Sequence, residues 1–497
     1  MTTYRGSGMA ALPTFAILAA GMIMVALFHF GIYVPIWLSV LILVSVSIFL
    51  VGSYLDKRIG MLMIVMWLVY ALPFIHIVPY LWFNFEHKAP DLLWGLAVNP
   101  YMLDEQVVQL TAMIGAVGGI GFALGVSLNR RRLAWTTMST DVKARCEKSL
   151  SFPLWIMWII VGVGLSWLAA PQETILTAAY TKSESLLDGV NFSSAWMVSY
   201  GFLIFAFCDA VLDGNQTRKT LKIKWAVFAT AFVVIYLQLM RGDRESLPLV
   251  LALFLIYFYW SAPPSNKSAI GVLWLKISML GVFLLAVAMI FGVLRSSVVG
   301  SDAGQFLAAF EGLRESGSIK ISNMIYGTWS AVLLTPLSVA GDYINGLLRL
   351  GLGKDYINFL LSMPPGFIAD AFGYTRPIDG LHGPAWEMRY GIGGTHASVV
   401  PFLNFRMVGV LFVTAVWVYA LHASERRALT RLTVARLAFL GTMIMASPHW
   451  LWYSEKNGLN AVLIWLLLWW CYRYCMAVEH VFKAYPNSSG EAARHPS

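Results

Sequence analysis

Residues 33–54 decide the fold class: they run YVPIWLSVLILVSVSIFLVGSY and contain no charged side chain. A helix of about 20 apolar residues is long enough to cross the hydrocarbon core of a bilayer. Similar stretches recur along the chain, and we expect the first of them to be an uncleaved anchor. We predict an all-α, polytopic integral membrane bundle of twelve spans, at 10–29, 33–54, 59–80, 106–128, 152–170, 194–212, 225–240, 247–262, 277–294, 397–420, 437–452 and 459–477.

The overall composition agrees with this prediction. Of the 497 residues, 58% are hydrophobic and 12% are charged, whereas about 25% of the residues in a soluble domain are charged. So little charge excludes a soluble enzyme, a disordered protein and a DNA-binding protein. The net charge of +9 therefore reflects membrane topology, and no nucleic-acid partner is expected. The four cysteines offer no pair placed for an exported disulfide.

The charges between the predicted spans indicate the orientation of the chain. If the N-terminus lies in the cytoplasm, most of the 35 lysines and arginines fall in cytoplasmic segments. Most of the 26 acidic residues then fall on the other side. Because basic residues accumulate on the cytoplasmic side of membrane proteins, we predict that both termini are cytoplasmic.

One predicted outer segment is far longer than the others and divides the chain into three parts. Residues 1–294 hold spans one to nine, 295–396 form the long outer loop, and 397–497 hold the last three spans and a cytoplasmic tail. Within the loop, amphipathic stretches at 305–314 and 344–363 predict surface helices. The apolar piece 325–340 predicts a re-entrant or surface helix. As a further span it would break the charge alternation unless another span were hidden nearby.

A short hairpin between spans seven and eight carries the first candidate site, Met240-Arg241-Gly242-Asp243-Arg244-Glu245-Ser246. Arginine is disfavoured in outer loops, and its guanidinium group matches the geometry of phosphate oxygens. One hypothesis is therefore that Arg241 and Arg244 clamp a diphosphate at the outer lipid interface. The alternative is an Arg–Asp–Glu network that only closes the hairpin.

The end of the long loop carries the second candidate site. Six side chains that can bind anions or exchange protons lie within it: Arg376, Asp379, His382, Glu387, Arg389 and His396. We predict Thr395 as the N-cap of the following helix, which would place His396 beside unpaired amides. A histidine near a carboxylate can act as a general base, although an isolated histidine here can equally be a packing residue.

Two further groups of residues have both structural and functional interpretations. Arg406 lies inside span ten, where it is costly unless it faces the bundle or water. It either serves the site electrostatically or forms a buried pair, for example with Asp209. In the last outer loop, Trp450 and Tyr453 can stack on sugar rings, but an interfacial aromatic belt explains them equally well.

Several motifs are absent from the sequence. There is no G-x-x-x-x-G-K-[ST] phosphate loop, no Asp-x-Asp pair and no H-E-x-x-H zinc motif. No cofactor and no metal ion are therefore predicted. The two halves also lack the matched, broken helices that are typical of transporters.

Taken together, these features resemble the Wzy-type bacterial O-antigen and polysaccharide repeat-unit polymerases. The hairpin that contains Arg241 and Arg244 looks like the family's Arg-Gly element, and its order leaves open which arginine matters. The stretch Gly393-Gly-Thr-His-Ala-Ser398, followed by Asn404-Phe405 and Gly409, looks like the family's glycine-rich entry to a late helix.

The resemblance implies a function at the periplasmic face of the bacterial inner membrane. The substrate would be an oligosaccharide on undecaprenyl diphosphate, and the growing glycan would be transferred to an incoming lipid-linked repeat unit. Membrane lipids and a polysaccharide chain-length regulator are the other implied partners.

Each candidate residue then has an expected role. His396 or Glu387 would act as the base, and Arg241, Arg244, Arg376 and Arg389 would bind the diphosphate. The glycan would contact His382, Trp450 and Tyr453. An O-antigen ligase or another lipid-linked glycosyltransferase is the alternative enzyme, and a flippase for lipid-linked glycans is the alternative from another class.

Overall fold

The computed structural model describes the chain at residues 7–82, 100–129, 149–170, 195–238, 246–261, 271–273, 275–284, 286–287, 321–364, 371–373, 395–453 and 455–484. All regular structure in these ranges is helical. The helices are α1 (Ser7–His29), α2 (Ile36–Leu55), α3 (Met61–Ala71, continued by a 3-10 helix, Leu72–Leu81), α4 (Glu105–Ser127), α5 (Phe152–Ala169), α6 (Ala195–Leu212), α7 (Gln216–Ala231, continued by a π-helix, Phe232–Gln238), α8 (Leu247–Leu255, continued by a π-helix, Ile256–Trp260), α9 (Gly271–Leu284), α10 (Ile321–Ile344), α11 (Lys354–Leu361), α12 (Val399–Thr430), α13 (Val434–Trp452) and α14 (Glu455–Ala484).

The prediction of a polytopic helical membrane protein is confirmed. Among the described residues, eight helices are long and apolar enough to cross a membrane. They are α2, α3 with its 3-10 extension, α4, α5, α6, α7 with its π-helical extension, α12 and α14. Shorter apolar helices occur in α1, α8, α9 and the second half of α10. The total of twelve spans stays a prediction.

Helix α4 lies at the centre of the bundle, and nearly all of its residues from Val107 onward are buried. Glycines along one face allow α12 to approach very closely. A Cβ atom at Gly121 would lie 2.5 Å from the Leu411 carbonyl oxygen, and one at Gly125 would lie 2.5 Å from that of Ala415. Small residues drive helix association in membranes because they bring two backbones into contact.

The ends of the helices separate into two groups. We call the end around Arg58, Asn129 and Glu425 the basic end. There the Arg426 side chain bonds to Asn129, and His422 bonds to the Arg58 carbonyl at 2.9 Å. The Glu425 carboxylate accepts from the Leu62 amide at 2.8 Å and so caps the start of α3.

We call the other group the histidine end, because His396 belongs to it. There Tyr101 donates to Asp342 at 3.2 Å, and the Ala397 amide donates to the Leu451 carbonyl at 2.8 Å. Thus α4 begins at the end where α10 and α13 finish. Helices α3 and α4 therefore run in opposite directions, and so do α12 and α13.

The basic end also contains a buried ionic network that joins α6, α7 and α14. Lys222 Nζ lies 2.7 Å from Asp209 and 3.0 Å from Asp213, and both the lysine and the aspartates have fully buried side chains. The Tyr472 hydroxyl donates to Asp209 at 2.6 Å. Asp209 therefore pairs with Lys222, and the considered pairing of Asp209 with Arg406 is wrong.

The pKa of Asp213 shows how strongly this network favours its charged form. Burial by itself raises the pKa of this carboxyl group. Hydrogen bonds from Arg218, the Asn215 amide, Lys222 and Ser149 outweigh that effect and hold the pKa well below its usual range. Asp213 is therefore ionised, and its ion pairs with Arg218 and Lys222 stabilise the basic end.

The long loop differs from the sequence prediction in two places. Residues 325–340 lie within α10, whose part from Val332 to Ala340 is almost wholly buried and packs on α4 and the 3-10 extension of α3. Burial of this part excludes a helix that lies on the surface, and the re-entrant alternative stays a prediction. In the stretch 344–363, only α11 is helical after α10 ends. Positive φ angles at Gly346, Leu352 and Gly353 interrupt the chain before it. The predicted helix at 305–314 lies outside the described residues.

Candidate functional site

A cavity of about 570 Å³ lies between α6, α7, α8 and α9. Its wall consists of aliphatic and aromatic side chains with one threonine, Thr230, and no polar surface lines it. Along α7 the lining extends from Ile223 to Ile235, which is about 18 Å of helix. That depth exceeds one leaflet of a bilayer whose core is about 30 Å thick. The cavity therefore suits a long hydrocarbon chain, and we call it the apolar cleft.

Both of the helices that form the long walls of the apolar cleft change to π-helix. The change occurs at Phe232–Gln238 in α7 and at Ile256–Trp260 in α8. Single π-helical turns inside α-helices often mark functional sites. Residues of both π-helical segments line the apolar cleft.

The predicted arginine hairpin joins these same two helices. Residues 239–245 lie outside the described residues, but Gln238 and Ser246 at its two ends are described and buried. In sequence, the hairpin therefore joins the two helices that form the long walls of the apolar cleft.

His396 is fully buried between α3 and α12. Its Nε2 lies 2.9 Å from the Tyr70 carbonyl oxygen, and its Nδ1 lies 2.8 Å from Ser398 Oγ. Because a carbonyl only accepts, Nε2 carries the proton and Nδ1 is the acceptor. The rings of Tyr70 and Phe74 pack edge-on against the imidazole, at 4.8 and 4.9 Å.

The electrostatics of His396 follow from this environment. Burial lowers the pKa of His396 to about 4, and the bond to the Tyr70 carbonyl opposes that shift only in part. The neutral ring with both nitrogens bonded is well placed to hold α3 against the start of α12. To act as the predicted base it must give up one of these bonds, so that role stays a prediction.

The predicted cap of α12 is wrong. The helix begins at Val399, and Ser398 occupies the N-cap position without a capping side-chain bond. Thr395 lies three residues earlier and is fully buried. The turn at Ala397 and Ser398, which follows His396, separates this threonine from the helix.

The other predicted site residues differ in what the structure shows. Trp450 is buried, with its ring 5.0 Å from that of Trp417, whereas Tyr453 is 41% exposed and stacks on His449. Tyr453 is thus the exposed member of the predicted aromatic pair. Seven predicted residues lie outside the described residues: Arg241, Arg244, Arg376, Asp379, His382, Glu387 and Arg389.

Asn404 is a structural centre of the histidine end that sequence analysis undervalued. Its Oδ1 accepts from the Gly353 amide at 3.0 Å, and its Nδ2 donates to Asp355 at 2.8 Å. These bonds fix α11 to α12. A single asparagine inside an apolar span was the signal that could have identified this connection.

A second connection joins α11 to α14. The Glu455 carboxylate is buried beside the Tyr356 hydroxyl. Burial, and then the charge of Glu455, raise the pKa of Tyr356 well above its usual range.

Comparison with known proteins gives no match to a protein-family model, to a curated protein or to a solved structure. The comparisons therefore identify no family for this chain. Among the described residues, no group of three or more metal-binding side chains comes together.

The buried state of His396 predicts a specific dependence of stability on pH. The unfolded histidine binds a proton below about pH 6.5, and the folded one only below about pH 4. Between these values the unfolded state holds more protons, so stability falls as the pH falls. Over the whole window the loss is about 3 kcal/mol.

Thermal unfolding of the detergent-solubilised protein between pH 7 and pH 4 measures this loss. In His396→Gln, whose amide can keep the bond to the Tyr70 carbonyl, the fall in Tm over this range should be clearly smaller. His29→Gln is the matched control, since His29 is exposed at the end of α1. Equal slopes for the wild type and His396→Gln would contradict the prediction.

Proposed function

We propose that the protein is a membrane-embedded glycosyltransferase that polymerises oligosaccharide repeat units carried on undecaprenyl diphosphate. The histidine end would face the periplasm and the basic end the cytoplasm, in a bacterial inner membrane. The abundance of lysine and arginine at the basic end supports this orientation.

The observation that carries the proposal is the apolar cleft, whose long walls are the two helices that the arginine hairpin joins in sequence. A polyprenyl diphosphate has a long apolar chain and a doubly charged head. The cleft offers hydrocarbon contact over about 18 Å, and Arg241 and Arg244 belong to the segment that connects its two long walls in sequence. An apolar cleft with two cations in the segment that connects its walls would match both parts of such a lipid.

The chemistry requires charge stabilisation and one proton transfer. An acceptor hydroxyl attacks the anomeric carbon of the growing glycan, the bond to the diphosphate breaks, and the hydroxyl proton passes to a base. Arginines stabilise the negative charge that develops on the departing diphosphate, which is the role we assign to Arg241, Arg244, Arg376 and Arg389. His396 and Glu387 are the candidate bases. The donor is already activated, so the proposal needs no nucleotide.

Substitution of the hairpin arginines tests the proposal. In a strain that depends on this gene for its surface polysaccharide, Arg241→Ala and Arg244→Ala should each abolish long chains while single repeats are still attached. Loss of two charge-assisted bonds to a transition state lowers the rate by about 100-fold or more. Gel analysis of chain length, with membrane levels of each variant, provides the measurement.

The control is Arg431→Ala, which removes an exposed arginine at the basic end and should leave chain length unchanged. Wild-type chain lengths in both hairpin variants would contradict the diphosphate clamp. Loss of all attached polysaccharide on deletion of the gene would instead indicate a ligase. Movement of lipid-linked glycan across vesicles without elongation would indicate a flippase.

A further inference from the structure

Helix α12 is broken at Arg406, seven residues after its first residue. Arg406 has φ 56° and ψ −149°, a combination that residues other than glycine rarely adopt. The break allows the segment before α11 to pair with it: the Gly351 and Leu352 amides donate to the Leu403 and Asn404 carbonyls at 3.0 and 3.1 Å. Such strain persists only where the surroundings hold it, and it often occurs at ligand sites.

The break directs the Arg406 guanidinium onto an aromatic surface. Its central carbon lies 5.1 Å from the ring centre of Tyr343 and 5.6 Å from that of Phe402. Nη2 donates to the Leu348 carbonyl at 3.0 Å. The rings and the carbonyl hold the cation on one side only.

The other side of the guanidinium lacks a partner within the described residues. Nη1 is buried there without a hydrogen-bond acceptor. Across all the described residues, the ion pairs involve Arg58, Arg218 and Lys222, and none involves Arg406. A half-buried cation with one unused donor, and no carboxylate to neutralise it, has the properties of an anion-binding group.

The surroundings indicate that this anion belongs to a lipid. The segment 345–361 exposes a series of large apolar side chains: Leu347, Leu350, Leu352, Ile357, Leu360 and Leu361. It also exposes Arg349, directly after the Leu348 carbonyl, and Lys354, directly after Gly353. Apolar side chains alternating with cations are typical of chain that lies at the level of the lipid headgroups.

We propose that the broken turn of α12 forms a binding site for the phosphate group of an anionic membrane lipid, with Arg406 as its principal ligand. The phosphate oxygens accept from Nη1, and the acyl chains lie along the exposed leucines of 345–361. The site is built from α10, α11 and α12, whereas the apolar cleft is built from α6 to α9. It therefore does not depend on the proposed glycosyltransferase function.

Native mass spectrometry of the full-length protein in detergent, titrated with phosphatidylglycerol, tests the site. Removing a charge-assisted bond should weaken the Arg406-dependent binding about tenfold in Arg406→Gln. Arg473→Gln is the matched control, because Arg473 also lies over an aromatic ring, that of Trp469, but at the basic end. It should bind the lipid as the wild type does.

Each outcome of the titration either supports or overturns the site. Weaker binding in Arg406→Gln alone supports it, whereas equal binding in the wild type and both variants overturns it. If inorganic phosphate displaces the lipid at equal concentration, the assignment to a lipid is overturned, because the acyl chains then contribute nothing.

A second variant keeps the test valid if Arg406→Gln does not fold. Arg406→Lys retains the charge, but its single ammonium group cannot hold both the Leu348 carbonyl and a phosphate in the fork geometry of arginine. Binding about threefold weaker than wild type is then expected, and unchanged binding overturns the proposal.

Discussion

Gly121→Leu is expected to prevent assembly of the helical bundle. A Cβ atom at this position would lie 2.5 Å from the Leu411 carbonyl oxygen, which belongs to backbone and cannot rotate away. The leucine would force α4 and α12 apart where their two backbones touch. We expect a destabilisation of about 3 kcal/mol or more, at the upper end for overpacked sites.

Gel filtration in mild detergent, together with the Tm of the folded fraction, measures this effect. Gly164→Leu is the matched control, since Gly164 lies in α5 and a Cβ atom at this position would meet no neighbouring atom within 4 Å. It should give a monodisperse protein with a Tm close to that of the wild type. Normal assembly of Gly121→Leu would show that α4 and α12 do not touch as described.

Lys222→Met is expected to destabilise the protein by about 3–5 kcal/mol, because it leaves buried carboxylates without their shared cation. Lys222 is fully buried and donates to Asp209 at 2.7 Å and to the Leu150 carbonyl at 2.8 Å. Lys224→Met is the control two residues further along the same helix, where the lysine is exposed. It should change stability by less than about 1 kcal/mol.

The double variant Asp209→Asn/Lys222→Met shows whether the loss of stability in Lys222→Met comes from the broken ion pair with Asp209 or from the loss of the lysine side chain itself. Removing both members of a buried pair costs less than removing one, since no unpaired charge remains. The double variant should therefore be more stable than Lys222→Met alone. Additive losses in this double-mutant cycle would contradict a direct interaction.

The positions of several helices could be predicted from the sequence, but the breaks inside them could not. Apolar length is a local property, so the predicted spans 33–54 and 152–170 agree closely with α2 and α5. The break at Arg406 depends on amides from residues 351 and 352, which lie about fifty positions earlier in the chain. No window of sequence around Arg406 contains that information.

The same limit explains why burial of the apolar piece 325–340, which lies in α10, was not predicted from the sequence. Its apolar stretch was too short and too mixed to predict a buried helix by itself. It is buried because α4 and the 3-10 extension of α3, made much earlier, present a matching surface. Thr395 is an example of the opposite error. Its residue type favours an N-cap, but the chain makes a turn at residues 397 and 398 before the helix begins, so Thr395 does not cap it.

For the candidate site, sequence reasoning identified residue types better than their roles. His396 stands out in the sequence as a candidate base or packing residue, but its bond to Tyr70 joins residues 326 positions apart. Arg406 was recognised as costly, and its partner was sought in Asp209 at the opposite end of the bundle. Chemical character is visible in sequence, whereas pairing is a property of the fold.

The contact between α4 and α12 also bears on how the chain is made. The glycine face of α4 leaves the ribosome early, and the helix that covers it is among the last to be synthesised. Until then, that face must rest against lipid or a helper protein of the membrane. A nascent chain stopped before α12 is therefore expected to be degraded quickly, and pulse-labelling of truncated chains would show whether its half-life is short.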